Sequence, residues 1–114
     1  MAHTVLLVDD DPLLRYVTAQ MLEDLGCHVV TAENGWEALD ILRRHREIQI
    51  LLTDINMPGM DGYELARRAL DFRRDLKVLL LSGREPDGQE FPLIRKPFLE
   101  HDLRRVMEQT TGVC

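Results

Sequence analysis

The chain has 114 residues, 45% hydrophobic and 30% charged, and its 14 basic and 20 acidic side chains give a formal net charge of −6. This length suits one domain able to bury about 65% of its unfolded surface, and the composition excludes a disordered or fibrous chain. The acid excess speaks against a duplex-binding module, and no uncharged run approaches the roughly 18 apolar residues of a membrane span.

Met1-Ala2-His3-Thr4 leads straight into the apolar run Val5-Leu6-Leu7-Val8, without the basic head and apolar stretch of a signal peptide. That run is predicted to be a strand buried on both faces, and Asp9-Asp10-Asp11 follows it at once. A helix is expected next, with Asp11 as N-cap and Pro12 in its first turn. Leu14, Val17, Met21 and Leu25 would form its inward stripe, and Gly26 would stop it. His28–Ala32 reads as a weaker strand near an edge. Asn34 with Glu37 three residues on opens a second helix that runs to about His45. Ile48–Thr53 is a third strand, with Asp54 directly after it. Asp61 and Glu64 repeat the capping device for a third helix, with Leu65, Ala69 and Leu70 inward. Val78–Leu81 is the fourth strand and Leu93–Arg95 a short fifth. The last helix is expected over about Leu99 to Gln109, with Leu99, Leu103 and Val106 as its buried stripe. Strand–helix alternation of this kind predicts an α/β fold, a doubly wound five-stranded parallel sheet with its working site beyond the carboxyl ends of the strands.

The crossover from Ser82 to Pro92 carries two glycines and two prolines and barely reaches the length of a parallel connection. It is expected to be a loop or one irregular turn, with the helix between the fourth and fifth strands short or absent. Cys27 and Cys114 fit no disulfide framework or metal spacing and are expected to be free thiols in a reducing cytoplasm.

Asp9, Asp10 and Asp54 would converge at one end of the sheet. Close carboxylates repel one another unless a cation joins them, and an all-oxygen set suits Mg²⁺. Helix capping accounts for Asp11 but not for the other three together. Ser82 is the only serine in the chain and reads as a turn residue or as a hydroxyl donor at the end of the fourth strand. Lys96 ends the fifth strand and would bring a compact positive charge to the same place, a set suited to one phosphoryl anion.

These residues resemble the receiver domain of two-component response regulators. The matching elements are Val8-Asp9-Asp10, the run from Asp54 through Asn56, Pro58 and Asp61 to Gly62, Leu81-Ser82-Gly83, and Lys96-Pro97-Phe98. Each is weak alone, but together they span residues 5 to 98 in the family's order. The resemblance implies a flavodoxin-like receiver fold in which Asp54 takes a phosphoryl group from a phosphohistidine, with Ser82 and Lys96 contacting the transferred group. It implies Mg²⁺ held by the side chains of Asp10 and Asp54 and the backbone carbonyl of Asn56, with Asp9 acting through water or behind these ligands. It further implies an ionised Asp54 and a cis Lys96-Pro97 bond. The partners implied are a sensor histidine kinase or histidine phosphotransfer protein and an unnamed downstream protein. Neither nucleic acid nor membrane contact is expected. Residues 1–114 are expected to be a single cytoplasmic receiver domain without an output domain and without metabolic enzyme activity.

Two departures stand out. Family members usually carry an aromatic residue three positions before the lysine, where this chain has Leu93; Phe91 would share the face of Leu93 if the strand extended past Pro92. The shortened fourth crossover alters the usual signalling surface, as in some receivers attached to hybrid sensor kinases. Two other readings stay open. A Mg²⁺-dependent phosphohydrolase with an aspartyl intermediate would share aspartate, lysine and metal, but Asn56 stands where its general acid belongs. An interaction module that keeps the fold without the chemistry would leave the acidic cluster unused.

Overall fold

The computed structural model describes residues 3–83 and 91–111. Five parallel strands, β1 (Thr4–Val8), β2 (His28–Ala32), β3 (Ile48–Asp54), β4 (Lys77–Ser82) and β5 (Leu93–Arg95), lie in the order β2-β1-β3-β4-β5. Helices α1 (Pro12–Asp24), α2 (Gly35–Arg44), α3 (Gly62–Phe72) and α4 (Glu100–Thr111) cover it. The predicted α/β class is therefore found; β2 and β5 coincide with the expected strands, and β1, β3 and β4 extend them by one residue at one or both ends. Strand order reverses between β1 and β3, so the chain leaves these two neighbours in opposite directions and opens a crevice above their carboxyl ends.

Side-chain alternation along the buried strands builds two apolar layers. Leu6, Val8, Leu51 and Leu80 point to the α2–α3 side, while Val5, Leu7, Leu52 and Leu79 point to the α1–α4 side. The helix starts follow their capping residues. The Asp11 carboxylate accepts the N–H groups of Leu13 and Leu14, Asn34 accepts that of Glu37, and Asp61 accepts that of Glu64.

The inward stripe of α1 matches the expected one in part, since Met21 and Leu25 pack partly buried against the α1–α4 layer. Thr18, Ala19 and Leu22 are buried, whereas Leu14 and Val17 are 41% and 40% exposed. Helix α1 is apolar on more than one side, with Leu13 and Tyr16 also exposed, so apolar spacing alone could not select its buried face. Leu99 precedes α4 and is exposed, and the buried positions of α4 are Leu103 and Met107. Cys27 is buried and disulfide-bonded, which corrects the expected free thiol; a single bridge leaves no spacing pattern to read.

Among the described residues no helix lies between β4 and β5, and the middle of that crossover, 84–90, lies outside them. Pro92 extends the β4 ladder by accepting the N–H of Leu80. Phe91 and Leu93 both settle, partly buried, against the α2–α3 layer. Phe91 therefore does share the face of Leu93 across Pro92.

Candidate functional site

The site is made of strand ends. Asp9 continues β1 by donating its N–H to the Ala32 carbonyl, which fixes the residue as an extension of the β1–β2 ladder. Its side chain is fully buried, and one carboxylate oxygen accepts the N–H of Asp11 at 3.0 Å. Arg15, one turn into α1, donates to the Asp9 carbonyl oxygen at 2.8 Å. Asp10 is exposed at the rim and Asp11 is committed to capping α1.

Asp54 is the last residue of β3 and is 7% exposed. Its own carbonyl accepts the hydroxyl of the buried Thr53, and the N–H of Ile55 continues the ladder onto Leu81. The chain then turns back through Gly62, whose N–H donates to Ile55. A Cβ at Gly62 would stand 2.4 Å from the Asp54 carbonyl oxygen and 2.8 Å from Ile55 Cα, so only glycine lets α3 start this close to β3.

From the other side of the sheet come Ser82 and Lys96. Ser82 ends β4, one residue beyond the Asp54–Leu81 register pair, and is buried. Its carbonyl accepts the N–H of Lys96 at 2.7 Å, and the Lys96-Pro97 peptide is cis, as expected. Lys96 Nζ lies 3.3 Å from an Asp54 oxygen and 3.5 Å from an Asp9 oxygen. One ammonium thus bridges two buried carboxylates on neighbouring strands.

Electrostatics follow from that burial. Desolvation pushes the Asp54 carboxyl above its ordinary range, the Lys96 charge pulls it down, and the nearby Asp9 charge pushes it up again. Hydrogen bonds from Lys96 and from the Asn56 N–H lower it further, but burial prevails. Lys96 therefore acts in the expected direction without fully relieving the cost of a buried charge.

Asp9, Asp10 and Asp54 each offer a carboxylate oxygen, and these atoms lie within 4.8 Å of one another. The structure thus brings together the acidic trio, Lys96 and Ser82, with the Asn56 N–H turned to Asp54. Sequence reasoning missed Arg15 and Thr53, which hold the backbone of the acidic strand ends. Arg15 had no signal beyond being one helical turn past Asp11.

The fold and site define a class of α/β module, a parallel sheet with buried carboxylates and a lysine at its switch point. The chain belongs to the response regulator receiver domain family, whose model matches residues 5–107. This is a signalling module of two-component systems rather than a family of metabolic enzymes. A response regulator receiver protein, CpdR of Brucella abortus, is 37% identical over 113 residues, covering 92% of this chain and 93% of its own. The sensor histidine kinase RcsC of Escherichia coli is 41% identical over 75 residues, which are 66% of this chain but only 8% of that kinase. Among solved structures, the chemotaxis protein CheY4 of Vibrio cholerae superposes with a TM-score of 0.89 at 25% identity, covering 96% of this chain and 99% of its own. The receiver domain of the hybrid histidine kinase CckA does so at 0.82 and 31% identity, over 93% and 96%. Among the described residues no helix is long and apolar enough to cross a membrane.

Proposed function

We propose that Asp54 accepts a phosphoryl group from a phosphohistidine and that the resulting acyl phosphate switches a protein-binding surface. The observation that carries this reading is the shared Lys96, 3.3 Å from Asp54 and 3.5 Å from Asp9, at the mouth of the acidic trio. An Asp54 oxygen attacks phosphorus, the P–N bond of the donor breaks, and the electron pair returns to the imidazole nitrogen, which takes up a proton from solvent. Lys96 stays protonated and turns from the carboxylates to a phosphoryl oxygen, and the Ser82 hydroxyl donates to another. Among the described residues an added Cβ at Gly83 would meet no atom within 4 Å, which is consistent with room for that group.

The oxygen-only trio fits a hard divalent cation, since its atoms are close enough to share one ion and repel without it. Asp10 and Asp54 would hold Mg²⁺ by their side chains and Asn56 by its backbone carbonyl, with the fully buried Asp9 acting through water or supporting the others. When bound, the ion neutralises charge on the phosphoryl oxygens. We infer that the donor is a sensor histidine kinase or a histidine phosphotransfer protein and the recipient of the signal a protein in the cytoplasm. Nucleic acid and membrane play no part in this domain's binding.

The test is intact mass after incubation with acetyl phosphate, with and without Mg²⁺, beside Asp54→Asn. A single labile phosphoryl adduct should appear with the wild-type chain and Mg²⁺ and fall to background in the other arms. An adduct that persists in Asp54→Asn would remove Asp54 from its role.

A further inference from the structure

Against a net charge of −6, five of the 14 basic residues fall at the end of the sheet away from Asp54, in Arg43, Arg44 and Arg46 and in Arg73-Arg74. The fold sets these two segments side by side, at the carboxyl ends of α2 and α3. Between them lies a groove of about 490 Å³ lined by Leu42, Arg43, Arg46, Phe72, Arg73 and Asp75. Three arginines in one concavity, with one carboxylate, oppose the charge of the rest of the chain.

Two of the five arginines have other duties. Arg44 pairs with Asp40 on the same helix. Arg73 is nearly buried and donates to the carbonyls of His45, Arg46 and Ile48, which fixes the loop that leads into β3. Its Nε lies 3.7 Å from Asp75, so the one acid of the groove is turned to Arg73. Arg43 and Arg46 are the exposed guanidinium groups of the lining. Arg43 is stacked 5.2 Å from the centre of the Phe72 ring, which is itself 39% exposed.

We propose that this groove binds a small organic phosphate of nucleotide size. The phosphate is held by Arg43 and Arg46, and the flat or apolar part of the molecule lies against Phe72 and Leu42. Arginine forks match phosphate oxygens two at a time, which lysines do not. The groove's volume is within the range of small-ligand sites. The site stands about 20 Å from Asp54, the length of β3, and is independent of the acyl-phosphate reading.

Calorimetric titration of the full chain in magnesium-free buffer tests this, with ADP, adenosine and inorganic phosphate as separate ligands. ADP should bind saturably at one site, with each of the other two at least about tenfold weaker. The double variant Arg43→Gln/Arg46→Gln should weaken ADP about tenfold or more and leave labelling of Asp54 by acetyl phosphate unchanged. Binding that does not saturate, or that the double variant keeps, overturns the proposal. Inorganic phosphate as strong as ADP would reduce the groove to a plain anion site and overturn it too, as would an oligoglutamate peptide that binds more tightly than ADP.

Discussion

The two ends of the sheet hold charge in opposite ways. At the amino end, Arg73 meets three backbone carbonyls, and the other arginines are exposed, so each cation has a partner or water. At the carboxyl end, Asp9 and Asp54 are buried beside one another and divide a single ammonium. Charge at the amino end is thus held by the fold, while charge at the carboxyl end is held against its preference. An unsatisfied end of this kind is one to which binding a cation or a phosphoryl group adds interactions that the bare protein lacks.

The largest effect should come from the tight approach that builds the carboxyl end. Gly62→Ala places a methyl group against the backbone of Asp54 and Ile55, which cannot give way as a side chain can. The expected loss is about 3 kcal/mol of unfolding free energy, measured by urea denaturation, with a displaced Asp54 and slower labelling. A loss near zero would mean that α3 can start elsewhere and that the close approach does not position Asp54.

At the amino end, Arg73→Ala should cost about 1–2 kcal/mol, because three carbonyls lose a donor and the α2–β3 loop its tie. The midpoint of the same denaturation should fall without a change in labelling rate. A labelling rate that falls in step would show the two ends to be coupled, which the comparison denies.

Much of this arrangement is legible in the sequence, for physical reasons that also mark where legibility stops. Strands buried on both faces leave continuous apolar runs, and a carboxylate placed directly after such a run can only sit at the strand end. Asp9 and Asp54 are legible on that ground, and Lys96 only as the residue that follows the short fifth strand. Helices α2 and α3 carry caps that announce their starts in side chains three residues apart. Helix α1 is different, because Leu13, Leu14, Tyr16 and Val17 put apolar side chains on its exposed side as well. Contacts made by side chains to distant backbone are the hardest to read. Arg73 reaching the carbonyls of His45, Arg46 and Ile48 depends on the packing of two helices and a loop and leaves no local pattern. The same holds for the groove, whose arginines come from two distant segments that only the packing of α2 against α3 sets side by side.

The smallest expected effect has the opposite sign and separates the two ends most directly. Burial, reinforced by the charge of Asp9, raises the Asp54 carboxyl above its unfolded value despite Lys96. A carboxyl so raised destabilises the native state wherever it is ionised in both states. That penalty is full above the raised folded value and fades as pH falls through it toward the ordinary carboxylate range near ~4. Asp54→Asn removes the charge, so in magnesium-free buffer its melting temperature should exceed that of the wild type at neutral pH. The gap should close as the pH is lowered into the carboxylate range. Mg²⁺ should stabilise the wild type by binding the native trio and narrow the gap from the other side, with little effect on the variant. A variant less stable than the wild type at pH 7 without Mg²⁺ would mean that the Lys96 bridge outweighs desolvation, and that charge is held at both ends of the sheet in the same way.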